Sequence, residues 1–148
     1  MRITRIRTKN FRCLSDVDLE LRPFTVVIGP NGAGKSSLLE AIRVLGSVHQ
    51  GSGAISDTFA RYGGFRATVS YFASDPKMLL GITLGQPNSQ VKYDVAFMGE
   101  GAGYFVAWEK FLSPRFGLER DDTNGAYMGS QSPNTQFQIA HGPRLAFE

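Results

Sequence analysis

Cysteine is almost missing: Cys13 stands alone among 148 residues. A single thiol closes no internal disulfide, which excludes the disulfide-stapled secreted classes and leads us to expect a reducing, cytoplasmic setting. Long apolar runs are missing as well. The longest, Phe24 to Ile28 with Thr25 inside it, is far short of the roughly 20 residues a membrane-crossing helix needs. Met1-Arg2-Ile3-Thr4-Arg5 has no apolar core of the kind a secretory signal carries. Histidine is limited to His49 and His141, which share no metal-ligand spacing. No internal repeat, low-complexity tract or Pro/Gly/Ser-rich linker divides the chain, so one domain is expected, burying roughly 70% of its unfolded surface.

What is present describes a globular protein with uneven charge. Hydrophobic residues make up 42% and charged ones 20%, ordinary values for a folded domain. The net charge of +3 is concentrated: residues 1–50 carry eight Lys/Arg against four acids, and the other 98 carry eight against nine. The N-terminal third is therefore the end expected to meet a polyanion. Its basic strand, residues 2–10 with Arg2, Arg5, Arg7 and Lys9, reads either as a DNA-contacting face or as an edge strand guarded by charge. Without interleaved aromatics the second fits better.

Periodicity places the elements. Val17, Leu19 and Leu21 alternate with Asp18 and Glu20, the mark of a half-buried strand. Phe24–Ile28, bounded by Pro23 and Gly29, predicts a third, fully buried strand. Leu38, Leu39, Ala41, Ile42 and Leu45 then share a helical face from which Glu40 and Arg43 point away, with Gly46 as the expected stop. A loose stretch follows from Ser47 to Ser56, then a short helix from Asp57 to Gly63-Gly64. Beyond it the pattern is β: Phe65–Phe72, Met78–Leu84, Val91–Phe97, Tyr104–Phe111 and Thr135–Ala140, with an Asn124-Gly125 hairpin signal. The expected organisation is strands, glycine loop and helix over 1–46, a connector over 47–64 and an antiparallel β-subdomain over 65–148. Phe72, Phe97, Phe105 and Trp108 are expected in the core, and Asp121-Asp122 in a solvated turn.

One motif carries chemistry. Gly29-Pro30-Asn31-Gly32-Ala33-Gly34-Lys35-Ser36 matches G-x-x-x-x-G-K-[ST] without a mismatch. Glycines let the backbone curl so that its N–H groups point inward at phosphate oxygens, and the following helix adds the positive end of its dipole. Lys35 reaches the β- and γ-phosphates, the Ser36 hydroxyl ligates Mg²⁺, and Ser37 offers a further donor near the α-phosphate.

The loop continues as Gly-Pro-Asn-Gly-Ala-Gly-Lys-Ser-Ser-Leu-Leu-Glu-Ala-Ile and is preceded by Asn10-Phe11-Arg12-Cys13-Leu14 and Asp16-Val17. Together these resemble the N-terminal lobe of ABC-type P-loop ATPases of the RecF, SMC and OLD group. Tyr62-Gly63-Gly64-Phe65-Arg66 and Trp108-Glu109-Lys110-Phe111-Leu112 look like the β-subdomain of the RecF-like members. The resemblance implies an α/β fold, ATP with Mg²⁺ as ligands, and a second head that closes on the same nucleotide in DNA repair or defence against foreign DNA. It implies phosphate and Mg²⁺ contacts from Asn31, Gly32, Gly34, Lys35, Ser36 and Ser37, and places Arg12 near the nucleotide.

The departures are equally specific. An aspartate strand for Mg²⁺ is imitated only by Thr68–Asp75, which Ser70 and Ser74 interrupt, and Pro76 stands where a water-activating glutamate belongs. No L-S-G-G-like signature occurs, and Gln136 and Gln138 are the candidates for a γ-phosphate-sensing glutamine. The expectation is half a head that binds ATP–Mg²⁺ and turns it over poorly. A nucleotide-dependent interaction module is the alternative. A small-molecule kinase fits worst, because 28 residues precede Gly29 and no arginine-rich lid is visible.

Overall fold

Alternating charged and apolar side chains build the first hairpin. In the computed structural model, which describes residues 2–48, 50, 52–70, 73, 77–86, 89–100, 103–121, 125–130 and 136–138, β1 (Ile3–Phe11) pairs antiparallel with β2 (Leu14–Glu20). β1 buries Ile6 and Thr8 on one face and exposes Arg5, Arg7 and Lys9 on the other, as a period of two requires. Phe11 lies opposite Leu14, so Arg12 and Cys13 alone make the turn. No glycine stands there, yet Asn10 and Arg12 take left-handed φ values of 58° and 53°, which cost on the order of 1 kcal/mol each. Hydrogen bonds hold them: Arg12 N–H donates to Thr68 O at 2.7 Å, Ser70 N–H to Asn10 O at 3.0 Å, and Asn10 Nδ2 to Lys77 O at 3.0 Å.

The other edge of β1 pairs with β3 (Met78–Gln86), so the basic strand lies inside the sheet and β2 is the edge. From β3 the chain meanders through β4 (Ser89–Glu100), β5 (Gly103–Leu112), β6 (Phe116–Asp121), β7 (Gly125–Ser130) and β8 (Gln136–Gln138). Among the described residues the order is β2-β1-β3-β4-β5-β6-β7-β8, antiparallel throughout.

Among the described residues three helices complete the core: α1 (Lys35–Val48), α2 (Ser52–Arg61) and α3 (Phe65–Thr68). Leu38, Ala41, Val44, Leu45 and Val48 of α1 are buried with Ile6, Met78, Leu80, Val95 and Phe97 of the sheet. Phe59 of α2 is the hub of an aromatic cluster, edge-on to Phe65, Phe97 and Tyr104 at centroid distances of 5.3, 5.5 and 4.8 Å. Each such pair adds about 0.5–1.5 kcal/mol to area burial. Glu109 is buried and accepts a 2.8 Å hydrogen bond from Tyr93 Oη. No helix among the described residues is long and apolar enough to cross a membrane.

The structure corrects several expectations. Phe24–Ile28 is not a strand: it runs outside the sheet, with Phe24 85% and Ile28 88% exposed. Both edges of β1 are taken by β2 and β3, and the segment pairs with neither of the sheet's outer strands. Leu39 is 63% exposed, because the buried stripe on α1 runs through residues 37, 38, 41, 44, 45 and 48. Gly46 lies within α1 instead of stopping it, and α2 starts at Ser52, five residues before Asp57.

Phe65–Thr68 is helical where a strand was expected. Gly63 and Gly64, at φ 90° and 94°, turn the chain after α2, Gly64 N–H closing back onto Phe59 O at 2.9 Å. Thr68 Oγ1 donates to Phe65 O at 2.6 Å, so only Val69 reaches the sheet, bridging to Phe11. β6 had no clear sequence signal. Phe97 is fully buried, whereas Phe105 and Trp108 are half-buried. Asp121 ends β6 instead of sitting in a turn. His49, Phe72, Asp75, Pro76, Asp122, Asn124 and His141 lie outside the described residues.

Two glycines should respond oppositely to alanine. Gly85 has φ 114°, and a Cβ there would run into the Ser89 carbonyl oxygen, so Gly85→Ala is expected to cost about 2 kcal/mol or more. Around Gly46 a Cβ meets nothing within 4 Å, and a mid-helix glycine is worth about 0.5–1 kcal/mol less than alanine. Gly46→Ala should therefore stabilise. Urea midpoints of both variants check this, and a shift of the same sign in the two would contradict it.

Candidate nucleotide-binding site

The loop between the bare segment and α1 has the shape its residue types dictate. Gly32 and Gly34 take φ values of 83° and 93°. Ala33 N–H donates to Pro30 O at 3.3 Å, and Leu38 N–H donates to Gly34 O at 2.9 Å, starting the helix. A Cβ on Gly34 would lie 2.6 Å from Leu14 Cδ2 and 3.3 Å from Cys13 Sγ, so the loop packs onto the β1–β2 turn at a distance only glycine allows. A Cβ on Gly32 would meet nothing within 4 Å, which leaves that side open to a ligand.

An open cavity of about 460 Å³ lies in front of α1, lined by Arg12, Cys13, Asn31, Gly32, Gly34, Lys35, Ser36 and Ser37. No acid stands in the first turn of α1, so no side chain of that turn offsets the helix's positive end. Gly29 and Pro30 contribute carbonyls that accept 2.7 Å hydrogen bonds from Lys35 Nζ, which leaves one of the three ammonium donors for a ligand. Ala33 belongs to the loop but not to the cavity wall. Ser36 is exposed, and Ser37 is buried with Oγ 3.4 Å from Cys13 Sγ. Backbone N–H groups, one ammonium, one guanidinium and two hydroxyls around such a space fit a polyphosphate chain. The exposed Ser36 hydroxyl is free to ligate Mg²⁺ beside it.

Three residues, one in the cavity wall and two behind it, escaped sequence reasoning in whole or in part. Cys13 lines the wall because the two-residue turn aims it there. Glu40, correctly read as turned from the core, places Oε2 2.8 Å from Arg12 Nη1. Tyr62, seen only as part of a family-like string, lies with its ring centroid 5.6 Å from Arg12 Cζ. Only the Phe11–Leu14 register places the first, and that register is set by the strand pairing. Gln136 and Gln138 are not brought here: β8 is the sheet edge opposite β2, with β3 to β7 between it and β1.

The basic strand faces acids. Arg5 donates from Nε and Nη2 to the two oxygens of Asp18, both at 2.6 Å. Arg7 lies 3.7 Å from Asp18 and 3.9 Å from Asp94, and Lys110 pairs with Glu119 at 2.9 Å. Gly81 separates Arg7 from Asp94 in the ladder, and a Cβ there would collide with Asp94 Oδ1. These side chains form a cross-strand row of alternating sign, not a free cationic patch.

The two carboxylates titrate in opposite directions. The Arg5 hydrogen bond holds Asp18 below the usual carboxylate range, while burial pushes Asp94 above it despite Arg7, Lys92 and Lys110. Asp18 therefore contributes stability above its ordinary pKa that is lost as pH falls through the lowered one. Asp94 has the reverse sign: its contribution is complete below the ordinary pKa and is lost as pH rises through the raised one. In urea midpoints followed from acid to neutral pH, Asp18→Asn should flatten the acid-side loss below about pH 4. Asp94→Asn should gain on the wild type as pH climbs above that value. Parallel curves for the two variants would refute the assignment.

Residues 1–98 match the AAA ATPase domain family. The OLD nuclease of Thermus scotoductus is 57% identical over 114 residues, 72% of this chain and 20% of that protein. The DNA replication and repair protein RecF of Erwinia tasmaniensis is 51% identical over 47 residues, 31% of this chain and 13% of its own. RecF of Actinobacillus pleuropneumoniae serotype 5b is 44% identical over 63 residues, 42% of this chain and 18% of its own. The chain thus spans about a fifth of the length of these curated relatives or less. With the glycine loop, the start of its helix and the Arg12-Cys13 turn around one cavity, the chain belongs to the AAA ATPase domain family, among the ABC-type ATPases of the RecF and OLD group.

Proposed function

We propose that this chain is the ATP–Mg²⁺-binding lobe of a RecF/OLD-like ATPase, turning ATP over only when a further lobe and a second head complete the site. The observation that carries the reading is the cavity before α1, where Asn31, Gly32, Gly34, Lys35, Ser36 and Ser37 meet Arg12. In this reading the loop N–H groups and Lys35 hold the β- and γ-phosphates, Ser36 ligates Mg²⁺, and Ser37 turns from Cys13 toward the α-phosphate. Bound Mg²⁺ would neutralise phosphate charge. Such a cradle supplies binding without the groups that activate water, so turnover is slow.

The bare segment supports the incomplete-head part. Phe24, Val26, Val27 and Ile28 are exposed, and covering each is worth roughly 1.5–3 kcal/mol. Among the described residues no backbone hydrogen bond reaches 24–28. Apolar side chains with open backbone edges, immediately before the loop, suit a strand that pairs with the rest of a longer polypeptide. The RecF relatives are named for DNA replication and repair, and by that likeness we read the completed protein's work as done on DNA, in repair or in defence against foreign DNA. With Arg5 and Arg7 engaged by Asp18 and Asp94, the DNA contact falls elsewhere than on this part of β1.

Calorimetry of Mg²⁺-dependent ATP binding, wild type beside Lys35→Ala, tests the cradle. Losing one charge-assisted contact is expected to weaken binding by roughly tenfold or more, with negligible phosphate release from either protein. Equal affinity in the variant would refute the cradle. Brisk phosphate release by the wild type would refute the incomplete-head reading and place a water-activating acid within this chain.

A further inference from the structure

Arg12 is held from three sides at the mouth of the cavity. Its backbone is kept at a left-handed φ of 53° by the hydrogen bond to Thr68. Its guanidinium meets Glu40 Oε2 at 2.8 Å and lies over the Tyr62 ring at 5.6 Å. Strain maintained in a non-glycine residue is the kind of feature that surrounding structure must over-determine. Here the over-determination comes from separate parts of the chain: Glu40 from α1, Tyr62 from the turn after α2, and Thr68 from α3. Left alone, an arginine gives up most of its side-chain freedom when it is fixed on a ligand. A guanidinium already seated between a carboxylate and an aromatic face has lost much of that freedom beforehand.

The geometry of the ion contact matters. Glu40 Oε2 is buried and has no hydrogen-bond partner, although Nη1 is 2.8 Å away. The pair is close but poorly aligned, so the carboxylate attracts the guanidinium without saturating it. A guanidinium carries five N–H donors, and most of them remain for the cavity that Arg12 lines. The Tyr62 ring occupies a face of the guanidinium, not its donor edge.

We infer that Glu40 and Tyr62 are positioning residues that preset Arg12 to receive a nucleotide phosphate, with Glu40 linking that guanidinium to the same helix whose first turn carries Lys35. The inference rests on the nucleotide reading above. It adds that α1 bears on the phosphates at two points: directly through its N-terminus, and through Glu40 and Arg12 from the turn opposite. Neither Glu40 nor Tyr62 lines the cavity, so each acts through Arg12.

Two readouts test this on the full chain: ATP–Mg²⁺ affinity by calorimetry, and the ¹⁵N–¹H signal of the Arg12 guanidinium, with thermal unfolding as a control for folding. Glu40→Gln keeps the side-chain volume and should weaken ATP binding about tenfold, and Tyr62→Leu about threefold. Tyr62→Phe retains the ring face and should bind as the wild type does. The exchange Arg12→Glu/Glu40→Arg should recover melting temperature relative to either single change yet bind ATP worse than both, because an acid then faces the phosphates. In the wild type the guanidinium signal should report a held group, and Glu40→Gln should free it.

Glu40→Gln binding as tightly as the wild type would overturn the inference, as would an exchange variant that restores binding or a loss that merely follows the melting temperature. Failure of the underlying reading looks different. There, Lys35→Ala binds as the wild type does, or no protein binds ATP, while the Arg12 guanidinium remains held. That result would remove the nucleotide reading and this inference with it.

Discussion

The two-residue turn between β1 and β2 is the constraint on which the rest of the candidate site depends. It has no glycine, yet Asn10 and Arg12 adopt left-handed backbone conformations on either side of the fully buried Phe11. The combined strain is on the order of 2 kcal/mol, and the anchors on Thr68, Ser70 and Lys77 offset it. The product is rigid placement. Leu14 and Cys13 press on the loop so closely that residue 34 has no room for a Cβ, while Arg12 is delivered to the cavity mouth. Moving the turn by one residue would flip every side chain of one strand to the opposite face and take Arg12 away from the loop.

That placement relies on a sheet with two unlike faces. On the inner face, helices cover Ile6, Leu80, Val95 and Phe97, and Phe59 ties α2 to α3, β4 and β5 through its ring contacts. On the outer face, acids and bases alternate from β2 to β6, each partly exposed and so worth little singly. The row nevertheless has a structural consequence. Asp94 leans over residue 81 toward Arg7 and occupies the space a side chain there would need. The same row explains why a basic N-terminal strand is not an exposed cationic surface, since β1 is an inner strand flanked by acids of β2 and β4.

Much of the architecture was legible because its signals are local. The alternations over residues 17–21 and 91–97 follow from a period of two, Met78–Leu84 from a short apolar run and the next strand from the glycine turn before it. The start of α1 at Lys35 follows from a glycine loop and an apolar stripe. The misses share one cause. Phe24–Ile28 has the composition of a buried strand, but a strand exists only where it pairs with another, and this segment pairs with none of the described strands. Phe65–Thr68 has apolar, β-compatible residues, but two left-handed glycines and the packing of Phe65 on Phe59 turn it into a helical turn.

The amino-acid sequence by itself determined the glycine loop, the cation that follows it and the hydroxyls beside that cation, because backbone freedom, charge and donor count are properties of residues in order along the chain. Only the tertiary structure decided what surrounds them. It brought Cys13 to Ser37, Glu40 and Tyr62 to Arg12, and Asp94 to Arg7 across a glycine. These are contacts between elements, set by strand register and helix packing, and no periodicity within one element encodes which side chain of another will lie a few ångströms away.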